Sequence, residues 1–187
     1  MERLNIGLTD QQRKGIVESL NKLLADEHVI YIKTRNFHWN VVGPRFHDLH
    51  IFLEKQYEQL AAIIDEVAEN ARMFGGTAAG SMKEFLKLTR LEENSGNVPD
   101  ENGILQSLID DHESIIRTLR EDIEHADEDL KAADAADFST SVLEQHNKMA
   151  WMLRSFLPTS GLATSGGKKR DVETKTESDK TLAGSHR

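Results

Sequence analysis

Proline is the residue a helix interior tolerates least, and this 187-residue chain has three, Pro44, Pro99 and Pro158. Each removes a backbone donor and restricts the residue before it. Between them run long stretches rich in Leu, Ile, Ala, Glu and Lys, with apolar residues at helical spacing. The chain is therefore expected to be all-α. Thr9 and Gln12 form a capping-box pattern that opens a first helix. Ile16, Leu20, Leu23, Ile30 and Phe37 carry that helix to about His38. Gly43-Pro44 breaks it. A second helix follows with Leu49, Leu53, Leu60, Ile64, Val67, Ala71 and Phe74 inward, and Gly75-Gly76 ends it. The short link predicts an antiparallel pair that brings His38 close to His50.

Residues 75–99 form a long connection. Within it, Ser81 and Glu84 repeat the capping-box pattern and predict a short helix through about Leu88. Asp100 is placed to cap a third helix, with Ile104, Leu108, Ile115, Leu119 and Ile123 inward. A charged segment, Glu124 to Asp137, joins it to a fourth helix. That helix carries Val142, Met149, Leu153 and Phe156 and stops before Pro158. Four amphipathic helices with one long crossover describe a ferritin-like four-helix bundle with a short extra helix between the second and third. The bundle is expected over residues 1–158. From 159 to 187 Gly, Ser, Thr, Lys and Asp dominate, and a disordered polar tail is expected.

Composition narrows the chemistry. There is no cysteine, which removes disulfides and thiolate metal sites and fits a reducing cytosol. No stretch is apolar enough for a secretory signal or a membrane span, so a cytoplasmic protein with no membrane partner is expected. A net charge of −9 argues against a generally basic nucleic-acid binder. The tail has six basic and four acidic residues, a net +2 that leaves −11 on the rest of the chain. Lys168, Lys169 and Arg170 are its only basic cluster.

One segment concentrates metal-binding residue types. His38 and His50 stand twelve residues apart, and Asp65 and Glu69 lie four apart further on. Imidazole with carboxylate suits iron or zinc. At ~1.5 Å per residue, the fifteen residues from His50 to Asp65 span roughly 22 Å of one helix, too far for a single ion. Either the pairs are unrelated, or they meet across a two-fold interface between antiparallel copies, the commonest soluble symmetry. Glu54, four residues after His50, could join the site or face water. Each residue also has an ordinary alternative. A helical histidine is usually a surface or core residue, Asp65 and Glu69 with Glu58 and Glu66 could form a solvated acidic face, and Trp39 could simply pack. No histidine follows a glutamate by three residues, so the Glu-x-x-His pattern of an intra-bundle di-iron site is absent.

The local sequence adds to this. The run Asn36-x-His38-Trp39-Asn40-Val41-x-Gly43-x-x-Phe46-x-x-x-His50, followed by Asp65 and Glu69, resembles the Dps family of mini-ferritins. The similarity continues through Val67-Ala68-Glu69, Gly75-Gly76-Thr77 and Lys148-Met149-Ala150-Trp151-Met152-Leu153-Arg154. It covers roughly residues 9–157. Asn70 departs from the pattern, where an arginine often follows the glutamate.

The resemblance implies a hollow shell of twelve subunits. Ferrous iron would be oxidised by hydrogen peroxide, or by oxygen, at two-iron sites on two-fold interfaces, with ferric mineral stored inside. Zinc would be a substitute metal. By position, His38 and His50 would come from one subunit and Asp65 and Glu69 from its partner, with Glu54 an additional ligand and Trp39 an electron donor. Asp137, with Asp134 and Asp129, would line a three-fold iron entrance; from spacing alone, Asp134 or Asp137 could equally cap the fourth helix. The rival function is nucleoid association through weak, non-specific DNA binding by Lys168, Lys169 and Arg170, favoured by multivalency and opposed by the acidic shell.

Overall fold

The computed structural model describes residues 4–157. The expected tail, with Lys168, Lys169 and Arg170, lies outside the described residues. Among the described residues five α-helices occur in the order α1 (Asp10–Asn40), α2 (Phe46–Met73), α3 (Met82–Leu88), α4 (Glu101–Glu124) and α5 (Ala133–Arg154), with a π-helical turn at His125–Asp129. No strand occurs among the described residues. The long helices α1, α2, α4 and α5 form the bundle, and α3 sits in the crossover.

Helix starts follow their local chemistry. Thr9 and Gln12 make a full capping box, and Asp100 accepts from the Gly103 backbone N–H at 2.8 Å. At α3 the Ser81 hydroxyl caps the Glu84 N–H, while Glu84 reaches back to Gly80. Gly75 ends α2 with φ +77°, a conformation that favours glycine. The apolar series named from the sequence point inward, with Ile64, Ile123 and Phe156 only half-buried and Ile63 taking a fully buried place on α2.

The α1–α2 link is held from outside. Arg45 spans Glu101 (3.0 Å), Asn102 (2.7 Å) and the Phe156 carbonyl (2.8 Å), joining the turn to the ends of α4 and α5. Val41 is buried beneath it. The crossover is tied to α1 by Asp26, which accepts from the Thr89 hydroxyl, the Arg90 backbone N–H and Arg90 Nε at 2.9, 2.6 and 2.7 Å. His28 stacks on Phe85 of α3 at 3.7 Å between ring centroids.

The α4–α5 connection differs from expectation. The charged segment is mostly helical. α4 passes into the π-helical turn, Lys131 takes φ +51°, and α5 begins at Ala133. Neither Asp134 nor Asp137 caps α5. Ala132 holds the N-cap position with no side-chain cap, and its backbone N–H bonds to the Ala126 carbonyl at 2.9 Å. Alanine at the N-cap has no side-chain acceptor to offer, and both Ala126 and Ala132 are buried where the chain turns. Asp134 lies in the first turn, where its charge complements the helix dipole.

Candidate metal centre

His38 stands in the last turn of α1 and His50 one turn into α2. Their rings stack at 3.8 Å between centroids and 18° between planes. His38 Nδ1 lies 2.8 Å from the His50 carbonyl, and His50 Nδ1 lies 2.9 Å from the His38 carbonyl. A carbonyl can only accept, so each Nδ1 carries a proton and donates it. In the neutral ring, each Nε2 is then left with its lone pair outward, the form that binds a metal. Neither Nε2 has a hydrogen-bond partner among the described residues. The reciprocal bonds use a carbonyl at the end of α1, which has no intrahelical partner to lose.

Phe46 stacks on His50 at 5.2 Å and Tyr57 meets His38 edge-on at 5.2 Å. Tyr57 donates its hydroxyl to Glu54 at 3.3 Å, which holds that half-buried carboxylate beside the pair. Reduced solvent around the hydroxyl, then the Glu54 carboxylate, push the Tyr57 phenol above its ordinary value. The Arg35 guanidinium lies over three rings, Trp39 at 5.0 Å, Tyr57 at 5.2 Å and Tyr31 at 5.6 Å. Trp39 itself is 61% exposed.

Asp65 and Glu69 are not brought to the histidines. They are exposed, four residues apart on the same unbroken α2. Among the described residues, no three of His, Asp and Glu gather closely enough to hold a metal ion. His38 and His50 make one pair, with Glu54 linked to it through Tyr57, and Asp65 with Glu69 a separate acidic pair. Asp129, Asp134 and Asp137 are all exposed, and Asp129 accepts from His125 at 2.7 Å.

A second histidine pair, which sequence reasoning passed over, lies in the centre of the bundle. His146 Nε2 is 2.8 Å from Glu27 Oε1, and His146 Nδ1 is 2.9 Å from His112 Nδ1. All three residues are fully buried. His112 Nε2 and Glu27 Oε2 have no hydrogen-bond partner. Burial, then the neighbouring His146, hold His112 well below the ordinary histidine range. A signal was present: Glu27 sits between Leu23 and Ile30, His112 between Leu108 and Ile115, and His146 between Val142 and Met149. Each fills a core position in the apolar series of its helix.

Comparison with known proteins places this arrangement. A ferritin-like domain model matches residues 17–160. A low temperature-induced protein of Nostoc sp. is 43% identical over 94% of this chain and 98% of its own. The DNA protection during starvation protein 2 of Bacillus anthracis is 34% identical over 77% of this chain and 97% of its own. The crystal structure of a Dps protein from Vibrio cholerae, described as belonging to a broad superfamily of ferritin-like diiron-carboxylate proteins, superposes with a TM-score of 0.78 at 28% identity. It covers 84% of this chain and 98% of that one. The chain belongs to the Dps family of the ferritin-like superfamily.

Proposed function

We propose that this protein is a ferroxidase and iron store. It oxidises ferrous iron with hydrogen peroxide, oxygen being the alternative oxidant, and holds the ferric product inside a closed shell of twelve subunits in the cytoplasm. The observation that carries this is the reciprocal histidine pair. It fixes two Nε2 lone pairs outward at one end of the bundle, while Asp65 and Glu69 project 15 and 19 residues further along the same helix. Two copies of α2 packed antiparallel set the histidines of one against the carboxylates of the other. His38, His50, Asp65 and Glu69 then bind one iron, and Glu54 supports a second. Zinc fits the same donors.

Iron is the substrate here, and the residues position it. Carboxylates tolerate the ferric charge, and the Nδ1–carbonyl bonds keep both rings from turning away as that charge develops. Two ferrous ions and one peroxide give two ferric ions and two hydroxides, so no hydroxyl radical is released. Cations enter past Asp129, Asp134 and Asp137, whose charges raise the local ferrous concentration. Replacing all three with Asn is expected to slow initial uptake most at low salt, where screening is weak, and to leave the oxidant ratio unchanged. Wild-type rates at every salt concentration would move the entrance elsewhere.

The shared site is tested by mixing His38→Ala/His50→Ala subunits with Asp65→Ala/Glu69→Ala subunits. A mixed pair retains one intact site, so activity absent from either parent should return. With subunit exchange verified, no recovery would rule out sharing. The name of the Bacillus anthracis relative supports a second reading, weak backbone binding of DNA through Lys168, Lys169 and Arg170. Gel retention at low salt, with and without residues 159–187, decides it.

A further inference from the structure

We propose that Glu101 is a positioning residue for the metal centre. It holds the start of α2 so that the His38 and His50 rings keep their paired orientation. This rests on the metal-binding reading of the histidine pair and adds to it a residue from α4. Each ring of the pair bonds to a carbonyl on the other helix. A slide of α2 along α1 therefore breaks both bonds together and frees both rings to turn. The start of α2, just over one turn before His50, must be fixed for the pair to persist.

The helix does not cap itself. Arg45 holds the N-cap position of α2 and makes no side-chain cap bond. The cap comes from α4. Glu101 Oε1 accepts the Arg45 backbone N–H at 2.8 Å, and Glu101 Oε2 accepts the Arg45 Nε–H at 3.0 Å. Glu101 is also the first residue of α4. One carboxylate thus serves the N-termini of two helices, where unpaired backbone N–H groups and the helix dipole favour an anion.

The carboxylate is packed as well as bonded. Its side chain is only 11% exposed. Gly43 takes φ +139°, and a Cβ there would lie 2.5 Å from Glu101 Oε1. Glycine at this position lets the α1–α2 turn close directly onto the carboxylate. Arg45 extends the hold to Asn102 and to the Phe156 carbonyl, so the corner cannot shift without breaking bonds to α4 and to the chain past α5. A second buried carboxylate, Asp26, ties the crossover to α1 through Arg90. It lies twelve residues before His38 and braces the fold away from the α1–α2 corner. The two ties make a matched pair, one beside the histidines and one distant from them.

The test uses the assembled full-length protein and two metal probes. Calorimetry with Zn²⁺ gives affinity, and the visible absorption of bound Co²⁺ reports ligand number and geometry. Glu101→Ala should weaken Zn²⁺ binding by at least about tenfold, the lower end of what loss of an outer-shell partner costs a metal site, and should change the Co²⁺ spectrum. Glu101→Gln keeps an acceptor for the Arg45 N–H and should restore much of both. Arg90→Ala should lower the unfolding temperature and leave both metal readouts as in wild type. Wild-type affinity and spectrum in Glu101→Ala, whatever its stability, overturn the proposal. So do equal losses of affinity in Glu101→Ala and Arg90→Ala, which would mark general loosening of the bundle. Should Glu101→Ala fail to assemble, Glu101→Asp, which draws the carboxylate back by one methylene, is judged by the same criteria. His38→Ala/His50→Ala separates the two readings. If that variant binds both probes like wild type, the metal site lies elsewhere, and the metal-binding reading falls together with this one.

Discussion

Two histidine pairs in one bundle are built in opposite ways. His38 and His50 bond through Nδ1 to each other's backbone carbonyls, stack at 3.8 Å, and keep both Nε2 atoms outward. His112 and His146 bond to each other through Nδ1, and the outer nitrogen of His146 is spent on Glu27. The first pair takes its proton acceptors from the backbone, which leaves its side-chain lone pairs for something outside the chain. The second spends three of its four ring nitrogens on buried side chains and leaves only His112 Nε2 without a partner, sealed in the core away from solvent. Histidine content alone does not distinguish ligand from core; the partner of each ring nitrogen does.

The largest expected effect separates the pairs by function. His38→Ala/His50→Ala should reduce peroxide-dependent ferrous oxidation by more than the ~10–100-fold that loss of an outer-shell partner costs a metal site. Its thermal unfolding should change little, because the pair lies at the end of the bundle. Initial rates on assembled protein check this. Retained activity would show that the outward Nε2 atoms are not the ligands.

What the sequence disclosed follows the same division. The bundle was legible because its apolar residues keep helical phase and its caps are local: Thr9, Ser81 and Asp100 all act within three residues of themselves. The approach of His38 to His50 was legible from the short link. The α5 start was not, since it is marked by a backbone bond from Ala132 to Ala126, and no propensity rule favours alanine as a cap. The central triad was passed over for a different reason. Its members come from α1, α4 and α5, and only their shared core phase connects them. The aromatic shell around Arg35 was hidden too, because the i, i+4 spacing of Tyr31, Arg35 and Trp39 says nothing of Tyr57 from the next helix.

The second effect is on stability. His146→Ala should leave the Glu27 carboxyl fully buried without its partner, at a cost of about 3–5 kcal/mol. Replacing Glu27, His112 and His146 together with leucine should cost far less, because no polar group is then stranded in the core. Urea unfolding at fixed protein concentration and neutral pH measures both. Equal losses in the two variants would show that packing, not charge, dominates the bundle centre. Ferrous oxidation by whichever variant assembles should stay near wild type, because the triad touches none of the proposed ligands.

The smallest effect is a change of slope, and it sharpens the comparison most. Folded His112 is held well below its ordinary value, first by burial and then by His146. Unfolded, it should titrate near ~6.5. Between those two values the unfolded chain holds a proton that the folded chain does not. Stability therefore rises with pH across that window. The contribution is fully present above ~6.5 and is lost, at about 1.4 kcal/mol per pH unit, as the pH falls toward the folded value. The groups facing His112 enter this balance too: His146 from α5 directly, and Glu27 from α1 through it. Protonating His112 would set two imidazoles in competition for one carboxylate in a water-free core. His112→Leu should lower stability at neutral pH, because His146 Nδ1 loses its partner. It should also flatten the slope below ~6.5 by about one proton. Unfolding free energies at several pH values between 5 and 7.5 give that slope for both proteins. An unchanged slope would mean that His112 is already protonated in the fold, and the contrast between the two pairs would fail at the buried one.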